Sequence, residues 1–255
     1  VSGDVLRPDL QQIVETRRDH VALLDFRDLQ HGLVERFERG RPRVGKLDLH
    51  EGDMTLAATG TLTYREGNRV LIFGHPFTNF GPIDAALTTA YIVDVFPSYQ
   101  ISTKFGSPIK TVGRIFQDRP FSVGGIIGSM PHMIPMTVDI NDESIKRHKV
   151  FHMQVINHPL LTGQLVPQLA DAAITEVHGQ PGDSMATVTL DADIEQVGHV
   201  HRTDTFFDAT SIDQAAIGDV DSLMRLLSSN PFYPLQLKSL TMHVTIQDRH
   251  DTAEV

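Results

Sequence analysis

The sequence contains no cysteine and no tryptophan. Without thiols there is no disulfide and no thiolate metal site, and the chain is compatible with any redox compartment. No apolar run approaches the roughly 18 residues of a membrane-spanning helix, so no transmembrane segment is expected. No charged stretch followed by an apolar one marks the start as a signal peptide. Basic residues are outnumbered, 22 Lys and Arg against 32 Asp and Glu, for a net charge of -10. That balance argues against nucleic acid as a partner, since phosphate binding needs a basic surface. There is no P-loop, no Gly-x-Gly-x-x-Gly after a strand and no His-Glu-x-x-His, so no cofactor is expected. The first residue is Val1 rather than Met, which reads as a start within a longer gene product or after a cleavage.

What is present is enough apolar material for a core, at 40% of residues, arranged mainly in short strand-like runs. Residues 1–50 differ from the rest. They are rich in Arg, Asp, Glu, Gln and His, with Leu10, Ile13 and Val14 at helical spacing and Asp9 as a cap. A second short helix is read over 29–37, ended by Gly40-Arg41-Pro42. This segment is expected to be a helical arm or linker, too thin in apolar residues for a core of its own. Residues 51–255 are expected to form one β-rich domain.

Within that domain the expected strands are 56–64 and 70–73, joined by a hairpin loop at Arg65-Glu66-Gly67-Asn68. Further strands are expected at 109–116, 121–127, 136–140, 150–156, 185–194 and 235–246, separated by Gly, Pro or charged turns. Residues 85–95 read as helix or strand. Helices are expected at 160–177, where Leu161, Leu165, Leu169 and Ala173 share a face, and at 211–227, stopped near Asn230-Pro231. Over 185–194, Met185, Thr187, Thr189 and Asp191 alternate with apolar residues, the pattern of a strand with one wet face. The expected class is mainly β with added helices (α+β).

The segment with most chemical promise is Gly74-His75-Pro76-Phe77, which follows the apolar run Val70-Leu71-Ile72-Phe73. Histidine serves as base and acid at neutral pH, and here a glycine clears space beside it while a proline stiffens the chain. The plainer reading is a histidine capping a strand end and bonded to backbone. A base needs a group to orient its other ring nitrogen. Asp84, beyond Gly81-Pro82, and Asp118, in Gln117-Asp118-Arg119, are the candidates; each also suits a turn in which a carboxylate accepts from backbone.

Other clusters are weaker. His199 and His201, spaced i, i+2, share a strand face and have Asp204 nearby. The pair is a conceivable Zn²⁺ or Ni²⁺ site, but without a third ligand solvated histidines are preferred and no metal is expected. His148, His152 and His158 are read the same way. Gly124-Gly125 and Gly128 suit a bulge or tight bend, or close approach by a peptide.

Several motifs occur in order: Ala58-Thr59-Gly60-Thr61-Leu62-Thr63-Tyr64, Gly74-His75-Pro76-Phe77, Phe80-Gly81-Pro82-Ile83-Asp84, Val112 to Arg119, and Met133-Ile134-Pro135-Met136. Together they resemble the SpoIVB-type serine peptidase family, most strongly over 58–137. The resemblance implies a chymotrypsin-like β-barrel ancestry, an extracytoplasmic (periplasmic or secreted) bacterial setting and a protein or peptide partner. It also implies that His75 matches the family's catalytic histidine, with Asp84 or Asp118 as its orienting carboxylate. The family's nucleophile lies in a Gly-Met-Ser-Gly-Ser-Pro type segment. Here only Gly106-Ser107-Pro108 matches its tail, and Phe105 stands where the serine would be. Gly182-Asp183-Ser184 lacks the glycine that follows serine in trypsin-like enzymes and reads as a turn before a strand. The expectation is therefore a SpoIVB-like peptidase domain that is inactive as this chain, its serine supplied by another fragment. The alternative is a non-catalytic structural or binding subunit.

Overall fold

The computed structural model describes residues 44–54, 56–60, 62–96, 103–179 and 181–248. The helices expected at 10–14 and 29–37 lie outside the described residues. The end of the segment read as an arm is strand β1 (Val44–Gly52). The strands that follow are β2 (Leu56–Gly60), β3 (Leu62–Glu66), β4 (Arg69–Ile72), β5 (Gly81–Phe96), β6 (Thr103–Arg119), β7 (Ser122–Ile127), β8 (Met133–Asp142) and β9 (Arg147–Ile156). Helix α1 (Thr162–Val177), strands β10 (Ser184–Ile194) and β11 (Gly198–Asp208), helices α2 (Ile212–Ala216) and α3 (Gly218–Ser229), and strand β12 (Leu237–Asp248) complete the order. The chain is thus mainly β with few helices, as its composition of short apolar runs implies. The ambiguous run at 85–95 is strand, where the β-branched Thr88, Thr89 and Ile92 suit a pleated surface.

Two compact units emerge, interleaved along the chain. The first takes 44–47, Ala58–Pro82 and Ala86–Met130; the second takes Asp48–Ala57, Ile83–Ala85 and Pro131 onward. Neither closes into a barrel among the described residues, because the end strands within each unit do not pair with one another.

In the first unit the order is β5-β6-β7-β4-β3. Its core holds Val70, Ile72, Phe73, Leu87, Ile115 and Val123, all buried. The β6–β7 register slips between Ile115 and Gln117, opposite Gly125 and Gly124. A Cβ on Gly125 would lie 2.9 Å from Val70 Cγ2, and one on Gly113 only 2.2 Å from the Ile126 carbonyl oxygen. These glycines therefore serve close strand packing around a bulge.

In the second unit the order is β11-β10-β12-β8-β9-β1. Among the described residues β1–β9, β8–β9, β10–β11 and β10–β12 pair antiparallel, and β12 pairs with β8 in parallel. One sheet face is apolar: Val188, Leu190, Val138, Ile140, Phe151, Met242 and Val244 are buried. Helix α1 covers β8 and β9, α2 covers β10 and β11, and α3 packs on α1. The helix expected over 211–227 divides at Ile217-Gly218. Glycine is costly inside a helix, and Asp208 Oδ1, accepting from the backbone of Thr210 and Ser211, fixes where the first piece begins. The opposite sheet face is polar and carries five histidines: His148, His152, His199, His201 and His243, all exposed.

Candidate functional site

Strand β4 ends at Ile72, and the loop from Phe73 to Phe80 carries His75 in the first unit. Phe73 has φ 62° although its side chain is buried. A bulky residue in the left-handed region is an outlier that persists only where its surroundings impose it, and such strain concentrates at functional positions. The Phe73 ring stacks on the His75 imidazole, with centroids 5.5 Å apart and planes 9° from parallel. His75 Nδ1 lies 2.7 Å from the Pro76 carbonyl oxygen. That bond selects the tautomer protonated at Nδ1, in which Nε2 is the basic nitrogen.

Asp118, near the end of β6, is buried and grips the rest of this loop. Its Oδ1 accepts from Phe77 N at 2.8 Å. Its Oδ2 accepts from Thr78 N at 2.7 Å, Asn79 N at 2.7 Å and Thr78 Oγ1 at 2.8 Å. Three successive N–H groups converge here as an anion nest, and the chain's own carboxylate fills it. Asn79, with φ 62°, closes the loop in a conformation asparagine tolerates. Of the two carboxylates considered as partners for the histidine, Asp118 is thus committed to the loop backbone. Asp84 belongs to the second unit, where its Oδ2 accepts from His132 N at 3.0 Å and faces His132 Nδ1 at 3.2 Å.

The serines considered as nucleophiles are equally dispersed. Ser107 is exposed on β6 in the first unit, and Ser184 is buried at the start of β10 in the second. Ser122, at the start of β7, donates to the Ile72 carbonyl at 2.9 Å and so ties β7 to the strand that leads into the histidine loop.

In the second unit the sequence marks His199 and His201 but not the carboxylate that meets them, Asp191. The β10–β11 hairpin sets Asp191 opposite His201 and Asp193 opposite His199. Asp191 Oδ1 lies 2.8 Å from His201 Nδ1 and 3.2 Å from His199 Nε2. The hydrogen bond with His201, then attraction to both imidazoles, holds the Asp191 carboxyl below the usual range. Asp204, the carboxylate expected near these histidines, instead pairs with Arg202 and is hydrogen-bonded to Asp219. The hairpin itself was the available signal: a turn at 195–197 makes the opposing residues readable by counting outward. Further along the same face, Asp139 sits between His148, 2.7 Å from Oδ1, and His243, 3.2 Å from Oδ2.

Beneath the helices, His178 and Asp142 form a buried pair, Nδ1 to Oδ2 at 2.6 Å. Asp142 Oδ1 also accepts from Ser144 Oγ at 2.5 Å and from the Ser144 and Ile145 backbone. This carboxylate joins the C-terminal end of α1 to the end of β8.

No family model matches the chain, and neither does any curated protein or solved structure.

Proposed function

We propose that this chain is a SpoIVB-like serine peptidase domain, of chymotrypsin-like β-barrel ancestry, that serves without catalysis as a binding module in an extracytoplasmic bacterial assembly. The observation that carries this reading is the state of Asp118. A relay needs a carboxylate on the histidine's distal nitrogen, and Asp118 instead accepts four hydrogen bonds from the loop after His75. The His75 Nδ1 contact is with the Pro76 carbonyl. The nest of N–H groups at 77–79, of the kind that stabilises an oxyanion, is filled. Its binding partner would be protein or peptide, taken by strand addition to an outer strand such as β11.

The test is labelling of the full chain by a serine-directed fluorophosphonate, with and without a prior block by a small serine-protease inhibitor. This reading expects no adduct. A stoichiometric adduct on any serine of the chain, lost in His75→Ala, would overturn it.

A second reading rests on the tautomer. A backbone carbonyl on Nδ1 fixes the imidazole with Nε2 as base, so a serine brought by another fragment would find a preset proton acceptor once the loop that buries Nε2 opens. In that case mixing the chain with a fragment bearing the Gly-Met-Ser-Gly-Ser-Pro type segment restores peptide hydrolysis, and His75→Ala abolishes it while leaving the thermal melt unchanged.

A further inference from the structure

The polar face of the second unit carries donors that converge where nothing in the fold requires it. We propose that Asp191, His199 and His201 form a binding site for a divalent transition-metal ion of the Zn²⁺, Ni²⁺, Co²⁺ or Cu²⁺ class.

The site follows from strand geometry. His199 and His201 are two residues apart on β11 and so project from one face. The hairpin register brings Asp191 of β10 directly opposite His201. One nitrogen of each ring and one oxygen of the carboxylate lie within 4.8 Å of one another. A tetrahedral ion with bonds of about 2.0–2.1 Å separates its donors by roughly 3.3 Å. Asp191 Oδ1 to His199 Nε2 is already 3.2 Å, and Oδ1 to His201 Nδ1 is 2.8 Å. Both separations are already close to that value. The exposed setting leaves water to complete the coordination.

The surroundings of His199 add an independent point. Its other nitrogen, Nδ1, lies 3.1 Å from Asp193 Oδ1, and Asp193 Oδ2 in turn accepts from Ser239 Oγ at 2.9 Å. A metal-binding histidine characteristically gives its second N–H to a carboxylate, which fixes the tautomer and makes the ligating nitrogen more basic. Asp193 does this for His199 and leaves Nε2, the nitrogen that faces Asp191, as the one to take the ion once its proton is displaced. Asp193 is a positioning residue, not a ligand.

The donor chemistry selects the ion. Two imidazoles and one carboxylate suit borderline ions, whereas Ca²⁺ and Mg²⁺ favour all-oxygen shells. The neighbouring trio of Asp139, His148 and His243 provides the contrast. There the histidines engage opposite oxygens of the carboxylate, so their nitrogens are divided across it and do not meet at one point.

The experiment is titration of the full chain, first dialysed against a chelator, with Co²⁺ followed by visible absorption and with Zn²⁺ followed by calorimetry. One equivalent is expected to bind. His199→Ala, His201→Ala and Asp191→Asn are each expected to weaken binding more than tenfold, and Asp193→Asn by about tenfold. His148→Ala and His243→Ala should bind as the parent does. Circular dichroism melts of the metal-free variants show that each is folded. Absence of saturable binding below about 1 mM overturns the proposal, as does binding that survives His201→Ala or is lost equally in His148→Ala.

Discussion

His178 Nδ1 and Asp142 Oδ2 meet at 2.6 Å inside the second unit, and both side chains are almost fully buried. The pair links the residue that caps the C-terminus of α1 to the last residue of β8, 36 positions away. Burial pushes the Asp142 carboxyl up, but hydrogen bonds from Ser144, His178 and Ile145 and the attraction of His178 outweigh it, so the group sits below its ordinary value. Removing one partner of a buried pair is costly because the other remains in a low-dielectric setting. Asp142→Asn is expected to lower unfolding free energy by about 3–5 kcal/mol, as read by urea denaturation at pH 7.

The same carboxyl dictates an acid response. A carboxyl with a depressed folded value stabilises fully above its unfolded value of about 3.9, and the contribution disappears as pH falls through the folded value. Stability of the parent should therefore decline below about pH 4 more steeply than that of Asp142→Asn, which has no proton to take up there. Parallel denaturation curves for the two proteins from pH 5 down to acid unfolding would contradict this.

His158 acts in a different window. Burial holds its imidazole below the usual value. The unfolded chain then binds a proton before the folded one does, so its stabilising effect is complete above about pH 6.5 and is lost as pH falls below it. His158→Asn should flatten the stability profile as pH falls below about 6.5. Denaturant midpoints at half-unit intervals measure this, and an unchanged slope would refute it.

Asp118→Asn tests the loop clamp. The amide keeps one acceptor oxygen but turns an N–H₂ toward backbone donors that need an acceptor. A loss of about 3 kcal/mol is expected, with faster amide hydrogen exchange at Phe77, Thr78 and Asn79. Exchange rates at those three amides equal to the parent's would show that the carboxylate does not hold the loop.

Glycine substitutions should separate two roles. A Cβ at Gly113 meets the Ile126 carbonyl oxygen at 2.2 Å, whereas one at Gly74 meets nothing within 4 Å. Gly113→Ala is expected to destabilise by more than about 2 kcal/mol, and Gly74→Ala by less than about 0.5 kcal/mol. Thermal melts distinguish them, and similar shifts for both would contradict the packing argument.

Much of the architecture was readable because its signals are local. The wet and dry alternation of β10, the helical face at Leu165, Leu169 and Ala173, and the Gly67-Asn68 hairpin each involve neighbours in the chain. The break at Gly218 was written in the glycine but masked by apolar spacing that continues on either side. Strand neighbours were not readable. Nothing local pairs β12 with β8, and β5 and β6 extend well past the apolar runs that marked them, through Pro82 and Gly106. The histidine loop drew notice through Gly74 and Pro76, but the grip of Asp118 upon it spans about 40 residues and leaves no mark in the spacing. Asp191 was noted as a wet-face residue; its meeting with His199 and His201 needed the hairpin register.

The position of β12 bears on how the second unit comes into being. This strand, the last in the described chain, lies between β10 and β8, and its His243 meets Asp139 across a separation of 104 residues. Until it arrives, β8 and β10 each present an edge of unpaired backbone N–H and C=O groups. Such non-local closure makes for slow folding, and the waiting intermediate is prone to association. During synthesis the unit cannot be completed from its N-terminal side inward, so a ribosome-bound chain halted before Leu237 would be a client for chaperones and not a smaller version of the same fold.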